Sequence, residues 1–222
     1  MALMVFGNPI TKETLKGMPE YQNKITITRT DKAHVALKMK KETEARALEY
    51  MENLKKEKSD CDGGVITFGE IYNETGGTIR FSGQHDFSGK LAAESTYPGK
   101  IKNGQCGVFI HKETSGKTSG SCGAVVYSVK NKDGKAGHWM LSWSNPTNED
   151  NKVFTEIIGP GHYKPNSNDP IWDRVHEELS KSGTTSASEW NGCESSMTSI
   201  PSNDMKNRVD VDATVTLATA KA

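Results

Sequence analysis

The feature that most constrains the fold is a pair of apolar runs, at 124–129 and 138–144, that flank a short polar segment. Asp133 and Gly134 lie at the centre of that segment. Asp-Gly supplies the positive φ values that tight hairpin turns require. The pattern therefore predicts two antiparallel strands joined by a turn, around which the rest of the chain is expected to pack.

The second run has one face rich in indole rings. Trp139, Leu141 and Trp143 alternate with smaller or more polar residues, and a period of two places them on the same side of a strand. Asn145 and Pro146 end the run, because proline removes a donor from the strand ladder. We expect the indole face to form the inner wall of the core.

Short β segments separated by glycine-rich turns dominate the chain from Val65 onward. The predicted strands cover 65–72, 78–82, 106–112, 153–158 and 209–217, the second being the return strand of the first. Segments 83–100 and 182–206 are predicted to be loops. This spacing indicates a mainly β protein, an antiparallel β-sandwich with flanking helices.

The first 60 residues are predicted to be largely helical. We expect a short helix within 10–18, a brief strand at 25–28, and a long helix over 32–58 capped by Thr30 and Asp31. The apolar side of the long helix is predicted to consist of Ala33, Leu37, Ala45, Leu48, Met51 and Leu54. Glutamates crowd its polar face, which favours a helix docked on the body over a lipid-inserting one. We therefore expect a helical segment at 1–60 packed on a β-sandwich domain at 61–222, as one globular unit.

A further helix is expected to begin at Asp169 and Pro170, which supply a cap and a first-turn proline. Trp172, Val175 and Leu179 share one face at helical spacing. This face is predicted to pack on the body.

The charge balance and hydropathy of the sequence restrict the classes of partner that the chain can bind. Lys+Arg and Asp+Glu number 28 each, so the chain lacks the basic excess of a nucleic-acid binder, although a local basic patch stays open. No stretch has the pattern of a secretory signal or a transmembrane helix. We therefore expect a soluble cytoplasmic protein, for which peripheral membrane contact is possible and the oligomeric state is open.

No motif predicts catalysis, a cofactor or a metal. The four cysteines (61, 106, 122 and 193) lack Cys-x-x-Cys spacing, so we expect buried free thiols; the alternative is a bond between Cys106 and Cys122. Gly116-Lys117-Thr118 lacks the first glycine of a P-loop, and His176 lacks the second histidine of a zincin helix.

Aromatic residues near strand ends are the best candidates for a binding site. Rings with polar tips bind quaternary ammonium groups and stack on sugars, but they are also ordinary core residues. The strand end at 143–150 adds hydroxyls and carboxylates to a ring. The candidate ligand-binding residues are Trp143, Ser144, Asn145, Pro146, Glu149, Tyr97, Tyr127 and Tyr163.

Several segments resemble the jasmonate-induced proteins of flowering plants. The likeness is carried by Val-Phe-Gly-Asn-Pro-Ile-Thr at 5–11, Met-Pro-Glu-Tyr-Gln-Asn-Lys at 18–24, Ala-His-Val-Ala-Leu-Lys-Met-Lys at 33–40, Ala-Val-Val-Tyr at 124–127 and Trp-Ser-Asn-Pro at 143–146. The resemblance implies a stress- or defence-induced plant protein.

A more distant resemblance concerns the actinoporins, with the fungal Nakanori-like lipid-binding proteins as intermediates. Gly-Ser-Cys-Gly-Ala-Val-Val-Tyr at 120–127 is similar to an actinoporin strand, and Ser144 and Pro146 fall where actinoporins carry Ser-x-Pro. Thr147 and Glu149 stand where those proteins have tyrosines. The resemblance implies a β-sandwich with flanking helices that binds sphingolipid headgroups.

The leading hypothesis is therefore a non-enzymatic stress or defence protein that binds a sphingolipid headgroup or a glycan through loops at one end of a β-sandwich. One alternative is a structural or storage-like stress protein without a small ligand, which predicts that Trp139 and Trp143 are buried. The other is a hydrolase, which predicts a serine or cysteine beside a histidine in a cleft.

Overall fold

The structure is a computed structural model that describes residues 4–57, 64–93, 95–117, 119–163, 169–201 and 207–221, with the backbone alone at 54–57. Within these ranges the chain forms two sheets. The first has the order β1-β6-β2-β12-β11-β10, with β4 also pairing with β6. Its strands are β1 (Val5–Phe6), β2 (Ile66–Glu74), β4 (Lys90–Leu91), β6 (Cys106–Lys112), β10 (Thr185–Trp190), β11 (Cys193–Pro201) and β12 (Arg208–Leu217).

The second sheet has the order β5-β3-β7-β8-β9. Its strands are β3 (Ile79–Ser88), β5 (Lys100–Ile101), β7 (Ser121–Lys130), β8 (Ala136–Asn145) and β9 (Lys152–Ile158). Three α-helices lie in the described ranges: α1 (Lys12–Lys16), α2 (Arg29–Glu57) and α3 (Ile171–Lys181). Short 3₁₀ turns cover Pro19–Tyr21 and Ala218–Ala220. The predicted mainly β class, a sandwich with flanking helices, is confirmed.

The predicted hairpin is β7 and β8, and it forms the inner wall of the second sheet. Trp139, Leu141 and Trp143 are at most 1% exposed and lie in the core between the sheets. Gly134 has a φ of +79°, as the Asp-Gly turn requires. β8 ends at Asn145, immediately before Pro146, so the predicted strand end is also confirmed.

Close packing in the first sheet depends on a glycine. Gly69 of β2 lies opposite Phe109 of β6. A Cβ at Gly69 would lie 2.0 Å from a ring carbon of Phe109, so the ring occupies the space that any other side chain would need. The phenyl ring thereby reaches Trp143 of the opposite sheet, with the two ring centroids 4.9 Å apart.

Helices cover the outer faces of both sheets. α2 packs on β2 and β6, and α3 packs on β8 and β9 through its predicted face of Trp172, Val175 and Leu179. α2 begins at Arg29 rather than 32, because Thr28 is its cap: Thr28 N–H donates to Asp31 Oδ2, and Asp31 N–H donates to Thr28 Oγ1.

The buried side of α2 agrees only in part with the predicted one, of which Ala33 and Met51 are buried. Ala36, Thr43 and Ala47 are buried, whereas Ala45 is exposed and Leu48 is 45% exposed. The helix presents small side chains to the sheet, which lets the two backbones approach closely. The prediction was therefore correct at two positions and wrong at Ala45 and Leu48. Lys58, the predicted last residue of this helix, and the side chain of Leu54 lie outside what the structure describes.

Four other predictions were wrong. Residues 25–28 form no strand, and Ile25 is 96% exposed. β3 does not return on β2 but crosses to the second sheet, where it pairs with β7. Within 83–100, β3 continues to Ser88 and β4 follows it. Segment 182–206 contains the hairpin β10–β11, because strands can be built from serine and threonine when only one face is buried.

The described cysteines are buried free thiols, as predicted, rather than a bonded pair. Cys106, Cys122 and Cys193 are buried free thiols. Cys106 and Cys122 cannot face each other across neighbouring strands, because β6 and β7 belong to different sheets. Cys61 lies outside the described residues.

Candidate functional site

The end of the sandwich at which β8 stops is built from the described parts of three chain connections, which we call the loop end: 113–117 with 119–120, 146–151 and 182–184. Gly120 lies directly against β8, since a Cβ there would be 2.4 Å from the Asn145 carbonyl oxygen. Its φ of +73° also favours glycine. Glu113 fixes the same connection, because its carboxylate accepts from Gly120 N–H at 2.8 Å and from Val65 N–H at 3.1 Å. The loop end is therefore held by hydrogen bonds to the sandwich.

A buried polar network lies beneath the loop end. Ser121 Oγ is 2.8 Å from His111 Nδ1, and His111 Nε2 is 3.3 Å from Asp86 Oδ1. Ser121 Oγ is also 2.6 Å from Thr67 Oγ1 and accepts from Trp143 Nε1 at 3.3 Å. Ser121 and His111 are fully buried. The serine and histidine that a hydrolase requires are thus within hydrogen-bond reach, but they lie inside the core rather than in a cleft.

Cysteine gives no better nucleophile here. Cys122 follows Ser121 in β7 and lies opposite Ser144 of β8. Burial raises the pKa of its thiol to about 11, so the thiol stays protonated near neutral pH. Both candidate nucleophiles of the hydrolase alternative, Ser121 and Cys122, are therefore buried in the packed interior.

An open cavity of about 330 Å³ lies at the loop end, and we call it the β8–β9 cavity. It is lined by Glu149, Asp150, Asn151, Lys152, Ser182, Gly183, Thr184 and Pro201. Two backbone hydrogen bonds hold its walls together: Val153 N–H donates to the Gly183 carbonyl, and Ser199 N–H donates to the Thr184 carbonyl, both at 2.8 Å. The lining combines carboxylates, an ammonium group and hydroxyls in one cavity.

The cationic member of this lining is fixed in place. Lys152 Nζ donates to the carbonyl oxygen of Ser180 at 2.7 Å, in the last turn of α3. Glu149 and Asp150 are exposed in the preceding connection. The cavity can therefore present positive and negative charge to one ligand.

The structure does not bring together the eight residues that sequence reasoning proposed. Trp143, Tyr127 and Asn145 are fully buried, and Tyr97 and Tyr163 are 7% and 5% exposed. Ser144 and Pro146 are half-buried, and Glu149 is exposed. Of the eight, only Glu149 lines the β8–β9 cavity.

The tyrosines occupy separate places. The Tyr97 ring packs between the sheets, 5.0 Å from the ring of Phe109. Tyr163 packs 5.6 Å from Trp172 on the outer face of the second sheet, and its hydroxyl donates to Glu156. Burial, followed by the Glu156 charge, raises the pKa of Tyr163. These rings do not form a cage, so a cationic ligand at the loop end would depend on carboxylates.

Sequence reasoning missed Lys152, Ser182 and Thr184. Lys152 precedes a correctly predicted strand, but Ser182 and Thr184 fall in a segment predicted as loop. Their meeting depends on α3 returning to the end of β9, which no local pattern encodes. No group of three or more potential metal ligands was found among the described residues. In the same part of the chain no helix is long and apolar enough to cross a membrane.

Comparison with known proteins gives concordant matches. The sequence model of the Nakanori-like protein family matches residues 6–209. The 23 kDa jasmonate-induced protein of Hordeum vulgare is 35% identical over 190 residues, which cover 84% of this chain and 86% of that protein. A jasmonate-induced protein homolog of Atriplex canescens is 30% identical over 113 residues, which cover 49% of this chain and 57% of that protein.

A solved structure has the same fold. The crystal structure of the lipid binding protein Nakanori superposes with a TM-score of 0.82 at 29% sequence identity. The superposition covers 96% of this chain and all of that one.

Proposed function

Because this chain belongs to the family of Nakanori-like proteins, we propose that it is a non-enzymatic, stress-induced plant protein that binds the headgroup of a membrane sphingolipid in the β8–β9 cavity. The relatives named above include jasmonate-induced proteins and a lipid binding protein. The fold presents its loop end as a polar, rigidly held surface suited to docking on headgroups.

The observation that carries the proposal is the pairing of opposite charges in one cavity. Glu149 and Asp150 offer carboxylates, and Lys152 offers an ammonium group. A zwitterionic headgroup such as phosphocholine carries a quaternary ammonium and a phosphate, which match these charges. Ser144 and Pro146, the positions shared with the actinoporin pattern, lie half-buried at the adjacent strand end.

Liposome flotation tests this proposal. Three kinds of vesicle would be compared: sphingomyelin, phosphatidylcholine alone, and phosphatidylglycerol. The first two share a headgroup and differ in the sphingoid backbone, whereas the third tests the effect of net negative charge. Replacing the two acids together (Glu149→Gln with Asp150→Asn) is expected to weaken sphingomyelin binding about tenfold, equivalent to ~1.4 kcal/mol. The matched control is Glu42→Gln with Glu49→Gln, two exposed acids of α2.

The outcomes separate the possibilities. Loss of binding in the cavity variant but not in the control supports the headgroup site. Equal binding by both variants, or binding to phosphatidylglycerol alone, would contradict it. A glycan is the other candidate ligand, since its hydroxyls could donate to the same carboxylates. A glycan array with the same pair of variants tests this alternative.

A structural stress protein without a small ligand is a second candidate. Trp139 and Trp143 are both fully buried, as that hypothesis expects. It predicts that the wild-type protein binds none of the vesicles or glycans. The two candidates therefore differ in the wild-type result, before any variant is compared.

A further inference from the structure

Four of the six histidines of the chain lie around the contact between α3 and the outer face of the second sheet: His85 of β3, His138 of β8, His162 after β9 and His176 of α3. Trp172 of α3 is central to this contact. The His85 ring stacks on it with centroids 5.0 Å apart, and Tyr163, which also packs on Trp172, is 6.2 Å from the His138 ring. Two histidines of the sheet therefore reach the helix, His85 directly and His138 through Tyr163.

His85 is packed among aromatic rings. It makes an edge contact with Phe87 at 4.7 Å, and the Phe87 ring is 4.8 Å from His176 of α3. The charged and titratable groups that face it are Asp86 on its own strand and Asp173 and His176 on α3, whereas the residue opposite it on β7 is an alanine. Burial is the main cause that lowers the pKa of His85, and the two carboxylates offset it only in part. The packed state therefore favours the neutral ring.

His138 is also held in the neutral form. Its Nδ1 atom is buried and has no hydrogen-bond partner among the described residues. The titratable groups around it are His162 and Tyr163, and the Tyr163 hydroxyl donates to Glu156, which pairs with Arg174 of α3. Burial, followed by repulsion from His162, lowers the pKa of His138. Both nitrogens of an imidazolium carry hydrogen, so protonation would place an N–H group at Nδ1 without an acceptor.

We propose that protonation of His85 and His138 opens the contact between α3 and the second sheet in mildly acidic conditions. An exposed histidine has a pKa of about 6.5, so the open state takes up protons more readily than the packed one. The stability that the neutral rings give to the contact is complete above that pH and is lost as pH falls below it. Exposed carboxylates stay ionised down to about pH 5, so between these limits the change belongs to the histidines.

Opening of α3 would also alter the β8–β9 cavity. The helix ends at Lys181 and continues directly into 182–184, which line that cavity. Lys152, the cationic member of the lining, is held by the Ser180 carbonyl in the last turn of the helix. Sphingomyelin binding is therefore expected to weaken in acid. This consequence rests on the proposed headgroup site, whereas the opening of α3 does not.

Hydrogen–deuterium exchange of the full chain tests the opening without any lipid. Exchange of 171–181 would be compared at about pH 7.5 and about pH 5, after correction for the intrinsic pH dependence of amide exchange, with β7 as the internal reference. We expect the protection of α3 to fall about tenfold between the two conditions, because local opening alone exposes its amides. The protection of β7, in the middle of the sheet, is expected to change by less than about twofold.

A variant without the two protonation sites should lose this response. His85→Phe keeps a ring to stack on Trp172, and it is combined with His138→Gln; the protection of α3 is then expected to change by less than about threefold. The matched control is His34→Gln, which removes a histidine of α2 outside this contact and should keep the full response. Circular dichroism at neutral pH verifies folding. If the double variant does not fold, the two single variants replace it, and each is expected to lose part of the response.

Unchanged protection of α3 at the lower pH would contradict the proposal. So would an equal loss in α3 and β7, which indicates global unfolding, or an undiminished loss in the double variant or in both single variants, which assigns the response to other groups. Flotation with sphingomyelin at the two pH values is read separately. If exchange responds as expected and lipid binding does not, the opening of α3 is supported and only its effect on the cavity is contradicted.

Discussion

The buried carboxyl group of Glu74 is expected to lower the free energy of unfolding as pH rises. Burial raises its pKa above the ordinary value of 4.5, although Lys40 and a hydrogen bond from Thr216 act in the opposite direction. A group whose pKa is raised by folding stabilises the protein most below the unfolded pKa, and that contribution is lost as pH rises through the folded pKa. Glu74 should therefore weaken the protein progressively above about pH 4.5.

Replacing this residue tests the sign. Glu74→Gln keeps the side-chain shape and removes the titration, so the variant is expected to gain stability relative to wild type as pH increases from 4.5 toward 7. Urea unfolding at several pH values measures the difference. Glu44 has a pKa shifted in the same direction and is present in both proteins, and its negative charge also helps to raise the pKa of Glu74. A difference that is constant across this pH range would show that Glu74 does not titrate as described.

Ser121 is the centre of the buried network beneath the loop end. Its hydroxyl bonds with His111, Thr67 and Trp143 Nε1. Ser121→Ala would leave these buried groups short of a partner, and we expect a loss of about 1–3 kcal/mol in the free energy of unfolding. The exposed Ser115 provides the control, and Ser115→Ala is expected to be near neutral.

The same variant addresses the hydrolase alternative. A structural Ser121 predicts that wild type and Ser121→Ala hydrolyse p-nitrophenyl esters at the same low rate. Wild-type hydrolysis that disappears in Ser121→Ala while the variant remains folded would instead make the serine a nucleophile.

At the scale of single residues, the alternation in β8 correctly predicted that Trp143 faces the core, whereas nearness to a strand end did not predict exposure. Trp143 and Tyr97 are candidate ligand-binding residues because they lie near loop or strand ends, yet both are in the core. A predicted strand end indicates where the chain turns, but it does not indicate which way the side chains there face. Whether its last ring faces inward depends on the opposite sheet, and here Phe109 fills the space beside Trp143. The binding role of the exposed Glu149 stays a prediction.

Among the secondary-structure elements, the β10–β11 hairpin was missed although its turn is a strong local indicator. Asn191 and Gly192 have φ values of 48° and 72°, the two positive values of a type I′ turn. The flanking strands are rich in serine, which obscured their alternation of buried and exposed positions. Hydrophobic periodicity fails where the buried side chains are small hydroxyls.

The turn can be tested by a single methyl group. Gly192→Ala places a side chain at a φ of +72°, and we expect a cost of about 1–2 kcal/mol in the free energy of unfolding. Gly99→Ala is the matched control, because a Cβ there meets nothing within 4 Å and its φ is not positive. Chemical denaturation of the two variants should separate them. Similar stability for both would show that the turn tolerates a left-handed alanine.

Two serines of β10 cover the edge of the second sheet at β9. Ser186 Oγ accepts from Thr155 N–H, and Ser188 Oγ accepts from Ile157 N–H, both at 3.1 Å. The hydroxyls take the place of the next strand and leave no free donors at these positions. Ser186→Ala with Ser188→Ala is expected to lower stability and promote concentration-dependent association, measurable by analytical ultracentrifugation. A stable monomer would contradict this function of the serines.

For the whole molecule, the sandwich could be predicted because its determinants are local: a turn, an alternation and a strand-ending proline. The β8–β9 cavity could not, because it joins 149–152 to 182–184 and to Pro201 through α3 and two strands. The proposed boundary at residue 60 stays a prediction. Phe6 of the preceding segment pairs with Cys106, so that segment supplies an edge strand to the first sheet.

The proposed orientation on a membrane can be read by fluorescence. Trp139, Trp143 and Trp172 are buried, and Trp190 packs partly against the core, so docking of a rigid body should leave the native emission unchanged. A reporter is therefore needed at each end of β8. Asn148→Trp lies in the exposed connection of the loop end, and Ala136→Trp lies at the opposite, exposed start of the strand.

Both reporter changes are uncharged, so they leave electrostatic attraction to the vesicle unaltered. On addition of sphingomyelin vesicles, the Asn148→Trp reporter is expected to shift to shorter wavelength and lose access to acrylamide, because its ring enters the interfacial region. The Ala136→Trp reporter, on the far side of the sandwich, should remain quenchable. If the Ala136→Trp ring alone is protected, the loop end faces away from the lipid, and the headgroup proposal fails for a reason independent of any cavity variant.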